Sequence, residues 1–221
     1  MPIGKATFLG SPYIGVYLKA SERLTLVPPG FSPHEVHLVE RWLDAPVVQV
    51  DIGSGELSGA LAVLTSQGIL VTDDVEDEDL SKLRKFAPVH TMSTRLNALG
   101  NNVLANDFGA IIHPGYSAPE VELIESSLGV KATPCTIAGE GTVAKTAVAT
   151  NKGALVHPAT TSREMEIIRA TLRVPVHKTT ANFGNPLVGA CVVANSRGII
   201  AGERTTPVEL VHIEDGLQIY D

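Results

Sequence analysis

The apolar residues of this chain follow a pattern that recurs five times. In four copies a short apolar run follows a glycine that ends a turn, as in Gly68-Ile69-Leu70-Val71. The corresponding runs of the next three copies follow Gly109, Gly153 and Gly198, and Arg23 takes this place in the first copy, so that the period is roughly 45 residues. A short repeated unit cannot bury its own apolar face, so this period predicts an array of one supersecondary unit.

The second copy illustrates the structure predicted for one repeat. Residues 59–64 are mostly apolar and predict a strand, residues 65–68 a tight turn, and residues 69–71 the returning strand of a hairpin. Gly68 ends the turn, where we expect a left-handed backbone conformation that favours glycine.

A helix and a third strand are predicted after the hairpins of the first four copies. Acidic residues 76–79 begin the second helix, where they complement the helix dipole. The other three helices begin with a capping box, in which a hydroxyl and a carboxylate bind the free amides of the first turn. The pairs are Ser32 with Glu35, Ser117 with Glu120, and Thr161 with Glu164. The third strands are predicted at 47–50, 89–92, 130–133 and 176–179, which makes the unit ββαβ.

The fifth copy lacks an evident third strand. Residues 205–221 form a poorly defined tail, so we expect Lys5-Ala6-Thr7-Phe8 to supply that strand. The N-terminus would then close a ring and remove exposed sheet edges. The predicted fold is α/β, with five ββαβ units around a pseudo-fivefold axis in one domain that covers residues 1–221.

Composition narrows the class of protein. A formal net charge of -7 argues against binding nucleic acid mainly through its phosphates and favours a basic protein partner. The N-terminus lacks a long apolar signal region, and no uncharged apolar stretch is long enough to span a bilayer, so a cytoplasmic protein is predicted. The two cysteines form no Cys-x-x-Cys motif and are expected to be reduced.

An ordered set of motifs identifies the family that the chain resembles. Residues 93–102 read Ser-Thr-Arg-Leu-Asn-Ala-Leu-Gly-Asn-Asn, and Ala105-Asn106-Asp107, Ile111-Ile112-His113-Pro114 and Leu155-Val156-His157-Pro158 follow. Over the whole chain this set resembles the translation initiation factor 6 family of archaea and eukaryotes. The resemblance implies the pentein fold, an α/β propeller. Because no polar regulatory tail follows, the chain resembles the archaeal type.

The resemblance also implies a function. Members of this family are ribosome anti-association factors, which bind the intersubunit face of the large (50S) subunit and sterically prevent its joining with the small (30S) subunit. The main contact is a basic ribosomal protein near the sarcin-ricin loop, with limited direct contact to rRNA. We therefore expect a monomer without enzymatic activity, cofactor, metal or membrane contact.

The loops that open the units are the expected contact surface, because loops between units display the variable surface of a ring. Their apolar content suits a protein interface better than an active site. Asn101 could alternatively serve only to stabilise its own turn. The candidate ribosome-binding residues are Tyr13, Gly15, Ser58, Gly59, Ala60, Leu99, Gly100, Asn101, Asn102, Leu187 and Gly189.

Two other functions are compatible with a pentein fold. One is an amidinohydrolase with a cysteine nucleophile, and the other is an interaction scaffold without catalysis. Cys191 lies in the apolar segment 189–193, predicted to be a strand, and Cys135 has no activating base beside it in sequence. Both thiols are therefore predicted to be structural rather than catalytic.

His113 and His157 occupy matched positions, and each is followed by proline. Two such histidines could meet at a metal or proton-transfer site. The other copies have Val27, Thr72 and Gly202 there, so a third ring ligand is missing. Packing at the strand end is the interpretation we favour.

Overall fold

The computed structural model describes residues 3–220, which form eight α-helices and fifteen strands in five three-stranded sheets. Met1, Pro2 and Asp221, the two ends of the predicted domain, lie outside the described residues. The fold is mixed α/β, and a ββαβ-type unit recurs along the chain. None of the helices within residues 3–220 combines the length and apolar character needed to cross a membrane.

The elements follow the same order in each unit. The N-terminal strand is β1 (Ile3–Ala6). Unit 1 contains a 3-10 turn (Ile14–Val16), β2 (Lys19–Ala20), β3 (Thr25–Val27), α1 (Pro33–Leu43) and β4 (Val47–Gln49). Unit 2 contains α2 (Ser58–Leu61), β5 (Ala62–Leu64), β6 (Ile69–Thr72), α3 (Asp77–Leu83) and β7 (Val89–Met92). Unit 3 contains α4 (Leu99–Asn102), β8 (Val103–Asn106), β9 (Gly109–Ile112), α5 (Ala118–Leu128) and β10 (Ala132–Pro134).

The last two units complete the chain. Unit 4 contains β11 (Ala147–Ala149), β12 (Ala154–Val156), α6 (Ser162–Leu172) and β13 (Val176–Lys178). Unit 5 contains α7 (Val188–Cys191), β14 (Val192–Ala194), β15 (Ile199–Gly202) and α8 (Pro207–Leu217). In every sheet the first two strands are an antiparallel hairpin, and the third strand runs parallel to the second.

The fifth sheet takes its third strand from the other end of the chain. Strand β1 pairs in parallel with β15, from Ile3 opposite Ile199 to Ala6 opposite Gly202. The N-terminal strand was therefore predicted correctly in its role, but it lies two residues before the predicted segment 5–8. The predicted tail was wrong, because residues 207–217 form helix α8 with a capping box between Thr206 and Glu209.

Other strand predictions are corrected by the structure. Residues 59–61 and 189–191 belong to one helical turn each and do not extend the first strands. Apolar content alone cannot separate a short strand from a buried helical turn. The third strand of unit 3 begins at Ala132 and not at Val130.

The glycines that end the hairpin turns have a different role from the one predicted. Gly68, Gly109, Gly153 and Gly198 are not among the residues with positive φ. A Cβ atom on Gly68 would instead overlap the carbonyl oxygen of Ser127, and one on Gly198 would overlap that of Trp42. Glycine is required here because the end of a helix from a neighbouring unit lies directly against the turn.

The hydrophobic core lies between the units. Helix α5 packs on β6, α6 on β9, α8 on β12 and α1 on β15, so each of these helices covers the sheet of another unit. Five apolar clusters result, and each combines residues of two units. The cluster around Val27 and Leu43 of unit 1, for example, includes Val193 and Ile200 of unit 5.

A belt of hydrogen bonds joins the second residues of the hairpin turns. The Ser66 hydroxyl donates to Asp107 (2.7 Å), and the Asn151 amide also donates to Asp107 (2.7 Å). The Ser196 hydroxyl accepts from the Asn151 N–H (3.2 Å) and donates to Glu22 (2.7 Å). This turn belt consists of Glu22, Ser66, Asp107, Asn151 and Ser196.

One ammonium group lies among the first strands. The Nζ atom of Lys19, on β2, donates a hydrogen bond of 3.0 Å to the carbonyl oxygen of Gly100 on α4. It thereby links unit 1 to unit 3. Burial lowers the pKa of Lys19 to about 8.

We predict that replacing Gly198 by alanine destabilises the fold by about 1–3 kcal/mol, because the new methyl group would overlap the backbone of Trp42. Gly55→Ala is the matched control, since a Cβ there would have the carbonyl oxygen of Gly53 at 3.6 Å as its nearest neighbour. Its effect should stay within about 0.5 kcal/mol. Urea unfolding of both variants measures the difference, and equal effects would contradict the close-packing explanation.

We predict that Lys19 makes the folded state more stable as the pH rises from about 8 towards 10.5. In this range the unfolded chain binds a proton at Lys19 that the folded chain has released, so alkali favours folding. Lys19→Met removes this contribution. The free energy of unfolding should be measured against pH for both proteins, because Cys191, whose pKa burial raises to about 11, contributes equally to both profiles. Parallel profiles would show that Lys19 titrates normally.

Candidate functional site

Most of the candidate residues lie in four short helical turns that immediately precede first strands. These entry turns are the 3-10 turn of unit 1, α2, α4 and α7. Among the candidates, Tyr13 is exposed, whereas Gly15, Asn101, Leu187 and Gly189 are half-buried. The buried candidates are Ser58, Gly59, Ala60, Leu99, Gly100 and Asn102.

The entry turns pack on one another through their backbones. A Cβ atom on Gly15 would overlap the carbonyl oxygen of Gly189, and one on Gly100 would overlap that of Gly59. The Gly59 N–H donates to Tyr17 of the preceding turn (3.0 Å). These glycines therefore bring the turns together, so that one surface carries residues from several units.

The paired asparagines of α4 have different surroundings. The buried Asn102 donates through its side chain to the carbonyl oxygen of Leu96 (3.1 Å), and its own carbonyl oxygen accepts from the His113 N–H (2.9 Å). The backbone carbonyl of Asn101 accepts from the Ala144 N–H (2.9 Å). No hydrogen bond within residues 3–220 involves the side chain of the half-buried Asn101. Asn102 thus holds the turn, and Asn101 presents an amide to the surface.

Three exposed apolar side chains beside the entry turns were missed by the sequence analysis. Phe183 is 82% exposed, Leu9 70% and Leu57 46%. The Asn182 side chain donates to the carbonyl oxygen of Pro12 (2.7 Å), which holds the loop of Phe183 beside that of Leu9. The sequence feature that could have identified Leu9 and Phe183 is a single large apolar residue followed by a glycine in each of their loops.

Tyr13 belongs to the same surface. The residue is 41% exposed, and its hydroxyl accepts a hydrogen bond from the Asn185 side chain (3.3 Å). Leu57 directly precedes α2, whose Gly59 is bonded to unit 1. We call the surface formed by the entry turns and these apolar side chains the entry-turn surface.

An acidic cleft of about 220 Å³ lies close to α2. It is lined by Asp51, Ser54, Asp73, Asp74, Val75 and Glu76. The Asp51 carboxylate accepts from the Gly55 N–H (2.9 Å), and the Asp74 carbonyl accepts from the Gly53 N–H (2.7 Å). These bonds fix the loop that leads to the entry turn of unit 2, and the remaining carboxylates give the cleft its negative charge.

Both thiols are buried, as predicted for structural cysteines. Cys191 is fully buried, and burial raises its pKa to about 11. Burial and the nearby Glu164 raise the pKa of Cys135, whose Sγ donates to the carbonyl oxygen of Thr136. Both thiols are therefore protonated at neutral pH, whereas a nucleophilic cysteine requires a thiolate.

The two matched histidines act at strand ends, which confirms the favoured interpretation. The Nδ1 atom of His113 accepts from the Gly115 N–H (2.8 Å), and that of His157 accepts from the Ala159 N–H (3.0 Å). Each ring thus holds the turn that follows its strand. In the described part of the chain, no three His, Cys, Asp or Glu side chains group in a way that could hold a metal ion.

Comparisons with known proteins agree with the motifs. The chain matches the eIF-6 family over residues 3–216. Translation initiation factor 6 of Picrophilus torridus is 36% identical over 97% of this chain and 99% of its own length. The proteins of the same name from Haloquadratum walsbyi and Methanocaldococcus jannaschii are 40% and 38% identical, and each alignment covers at least 95% of both chains. Because the match extends along nearly its whole length, the chain belongs to the eIF-6 family.

Proposed function

We propose that this protein is a translation initiation factor that acts as a ribosome anti-association factor. It binds the large (50S) subunit and keeps the small (30S) subunit away by steric occlusion. Membership of the eIF-6 family is the observation that carries the proposal. The protein works without catalysis or cofactor, as a monomer in the cytoplasm.

The fold that supports this role is a closed α/β propeller of the pentein type, in one domain of five units. The first strands contact each other in the order β2, β5, β8, β11 and β14, and β14 contacts β2. The pairing of β1 with β15 and the bond between Ser196 and Glu22 also join unit 5 to the start of the chain. A closed ring is a rigid body, which suits a protein that acts by occupying space.

The entry-turn surface is the proposed contact with the subunit. It presents the amide of Asn101 together with exposed Tyr13, Leu57 and Phe183, a combination of polar and large apolar groups that is typical of protein interfaces. The buried candidates, such as Gly59 and Gly100, contribute by shaping this surface. Gly15, Leu187 and Gly189 reach it with part of their area.

The charge distribution supports a basic ribosomal protein near the sarcin-ricin loop as the main partner, with limited contact to rRNA. Residues 35–79 carry eleven acidic side chains and one basic side chain, Arg41. Part of this charge lines the acidic cleft beside α2. A basic protein segment would be attracted to this side of the entry-turn surface, whereas rRNA phosphates would be repelled.

We predict that Asn101→Arg weakens binding to isolated large subunits by about 1–3 kcal/mol, because it removes an interface amide and adds bulk. Gln67→Arg is the matched control, since it adds the same charge in an exposed hairpin turn at the other end of unit 2. Co-sedimentation and subunit joining should be measured with variants shown by melting to be folded.

Each outcome of this experiment tests a separate statement. If saturating wild-type protein fails to keep the subunits apart, the anti-association function is wrong. If Asn101→Arg blocks joining as well as the wild type and the Gln67→Arg control do, the function stands and the proposed surface is wrong.

We predict that removing residues 1–9 lowers the melting temperature of the whole protein, because β15 loses its parallel partner and the fifth sheet gains an open edge. Loss of each kcal/mol corresponds to about 2–4 °C in a protein of this size. Removal of residues 1 and 2 alone is the control. An unchanged melting temperature after the longer deletion would contradict the closed propeller.

A further inference from the structure

Three loops that follow third strands share one sequence feature, in which a residue with a side chain directly precedes a glycine. The pairs are Leu9-Gly10, Ala138-Gly139 and Phe183-Gly184. All six residues have a left-handed backbone, with φ between 48° and 86°. The three loops therefore make a similar backbone reversal at the same point of the repeat, and they can be compared with one another.

Large apolar side chains occupy two of these positions although folding does not favour them there. Phe183 is 82% exposed and Leu9 is 70% exposed. A left-handed backbone is unfavourable for a residue with a Cβ atom, and Asn182, which precedes Phe183, is left-handed as well. Contact of water with large apolar side chains is also unfavourable. The stability of the fold therefore does not explain these two residues.

The loop of Ala138 shows what the fold itself requires. It is held in the same way as the loop of Phe183, because in each a capping-box glutamate of the next helix accepts hydrogen bonds from the loop glycine and from a threonine hydroxyl. The glycine bonds join Gly139 to Glu164 (3.0 Å) and Gly184 to Glu209 (2.7 Å). Since alanine is sufficient with this support, the phenylalanine ring has a role outside the fold.

The backbone that carries each large side chain is fixed. The Phe183 N–H donates to the Glu209 carboxylate (3.1 Å). Burial opposes the ionisation of Glu209, but its hydrogen bonds outweigh burial and lower its pKa to about 2, so the carboxylate is charged at neutral pH. The buried Phe8 holds the loop of Leu9, because its ring stacks on that of Phe31 with 4.6 Å between centroids. A preorganised surface loses little conformational freedom on binding.

The position of the two residues indicates the chemistry of the partner. Their loops are neighbours on the entry-turn surface, joined by the bond from the Asn182 side chain to the carbonyl oxygen of Pro12 (2.7 Å). Leu9 has no aromatic face on which a nucleotide base could stack, and the charge of Glu209 lies directly behind the Phe183 backbone, where it repels phosphates. Apolar side chains of a protein gain from contact with both residues.

We propose that Leu9 and Phe183 form the anchor pair of the entry-turn surface, which binds an apolar segment of a large-subunit protein. Phe183 inserts between apolar side chains of that segment, and Leu9 covers the edge of the same contact. The acidic cleft attracts the basic partner, and the anchor pair retains it. This inference rests on the proposed function and adds to it the residues that supply most of the affinity.

Titration of isolated large subunits with the full chain tests the anchor pair. Phe183→Ala should raise the Kd about 10- to 100-fold and Leu9→Ala about 3- to 10-fold, because aromatic anchors dominate protein interfaces. Both losses should be the same at low and high salt, since they involve no charge. Phe108→Ala is the matched control. It removes the same ring from a 41% exposed position in the hairpin turn of unit 3, and its Kd should equal that of the wild type.

Two further substitutions separate a protein segment from an rRNA base. Phe183→Leu should keep most of the affinity in an apolar protein contact, and Leu9 shows that leucine is accepted in this backbone conformation. Phe183→Trp keeps an aromatic face. If Phe183→Leu binds as weakly as Phe183→Ala while Phe183→Trp binds like the wild type, a base stacks on this residue and the proposal is overturned.

Melting of every variant keeps the test decisive. If Phe183→Ala is unstable, Phe183→Asn also removes the ring, is better accepted in a left-handed backbone, and should show the same loss of affinity. If wild-type protein does not bind large subunits, the proposed function fails and the anchor pair with it. If the wild type binds and the folded Phe183→Ala and Phe183→Asn variants bind equally well, only the anchor pair is wrong.

Discussion

Contact between hairpin turns and the ends of helices from neighbouring units is the constraint on which the rest of the structure depends. The turn can reach the helix only where its last residue lacks a Cβ atom, as at Gly68 and Gly198. That approach lets a helix lie over the sheet of another unit, and the five apolar clusters form between units as a result. A single unit therefore has no complete core, and the units must be stable together or not at all.

The sequence predicted the repeated unit well because its signals are local. Capping boxes located α1, α5 and α6, and the acidic start of α3 was also correct. Helix α8 was missed although Thr206 and Glu209 have the same capping spacing as the predicted helices. The role of the turn glycines could not be predicted, since the helix end that requires them is distant in sequence.

The sequence located the segments that open the units but not the exposure of the candidate residues in them. The motif around Leu99, Gly100 and Asn101 correctly marked the segment that opens unit 3. Which of two adjacent asparagines is buried depends on one helical turn, which the sequence analysis did not predict. The exposed side chains of Leu9, Leu57 and Phe183 carried no periodic signal, because isolated apolar residues in loops are common.

The pairing of β1 with β15 has a consequence for the synthesis of this protein. Residues 3–6 leave the ribosomal exit tunnel long before their partners at 199–202 do. Cotranslational folding can therefore assemble the earlier units, while the first strand stays without its sheet until residues 199–202 have emerged. A protein of this family thus reaches its native topology only after the hairpin of its fifth unit has left the ribosome.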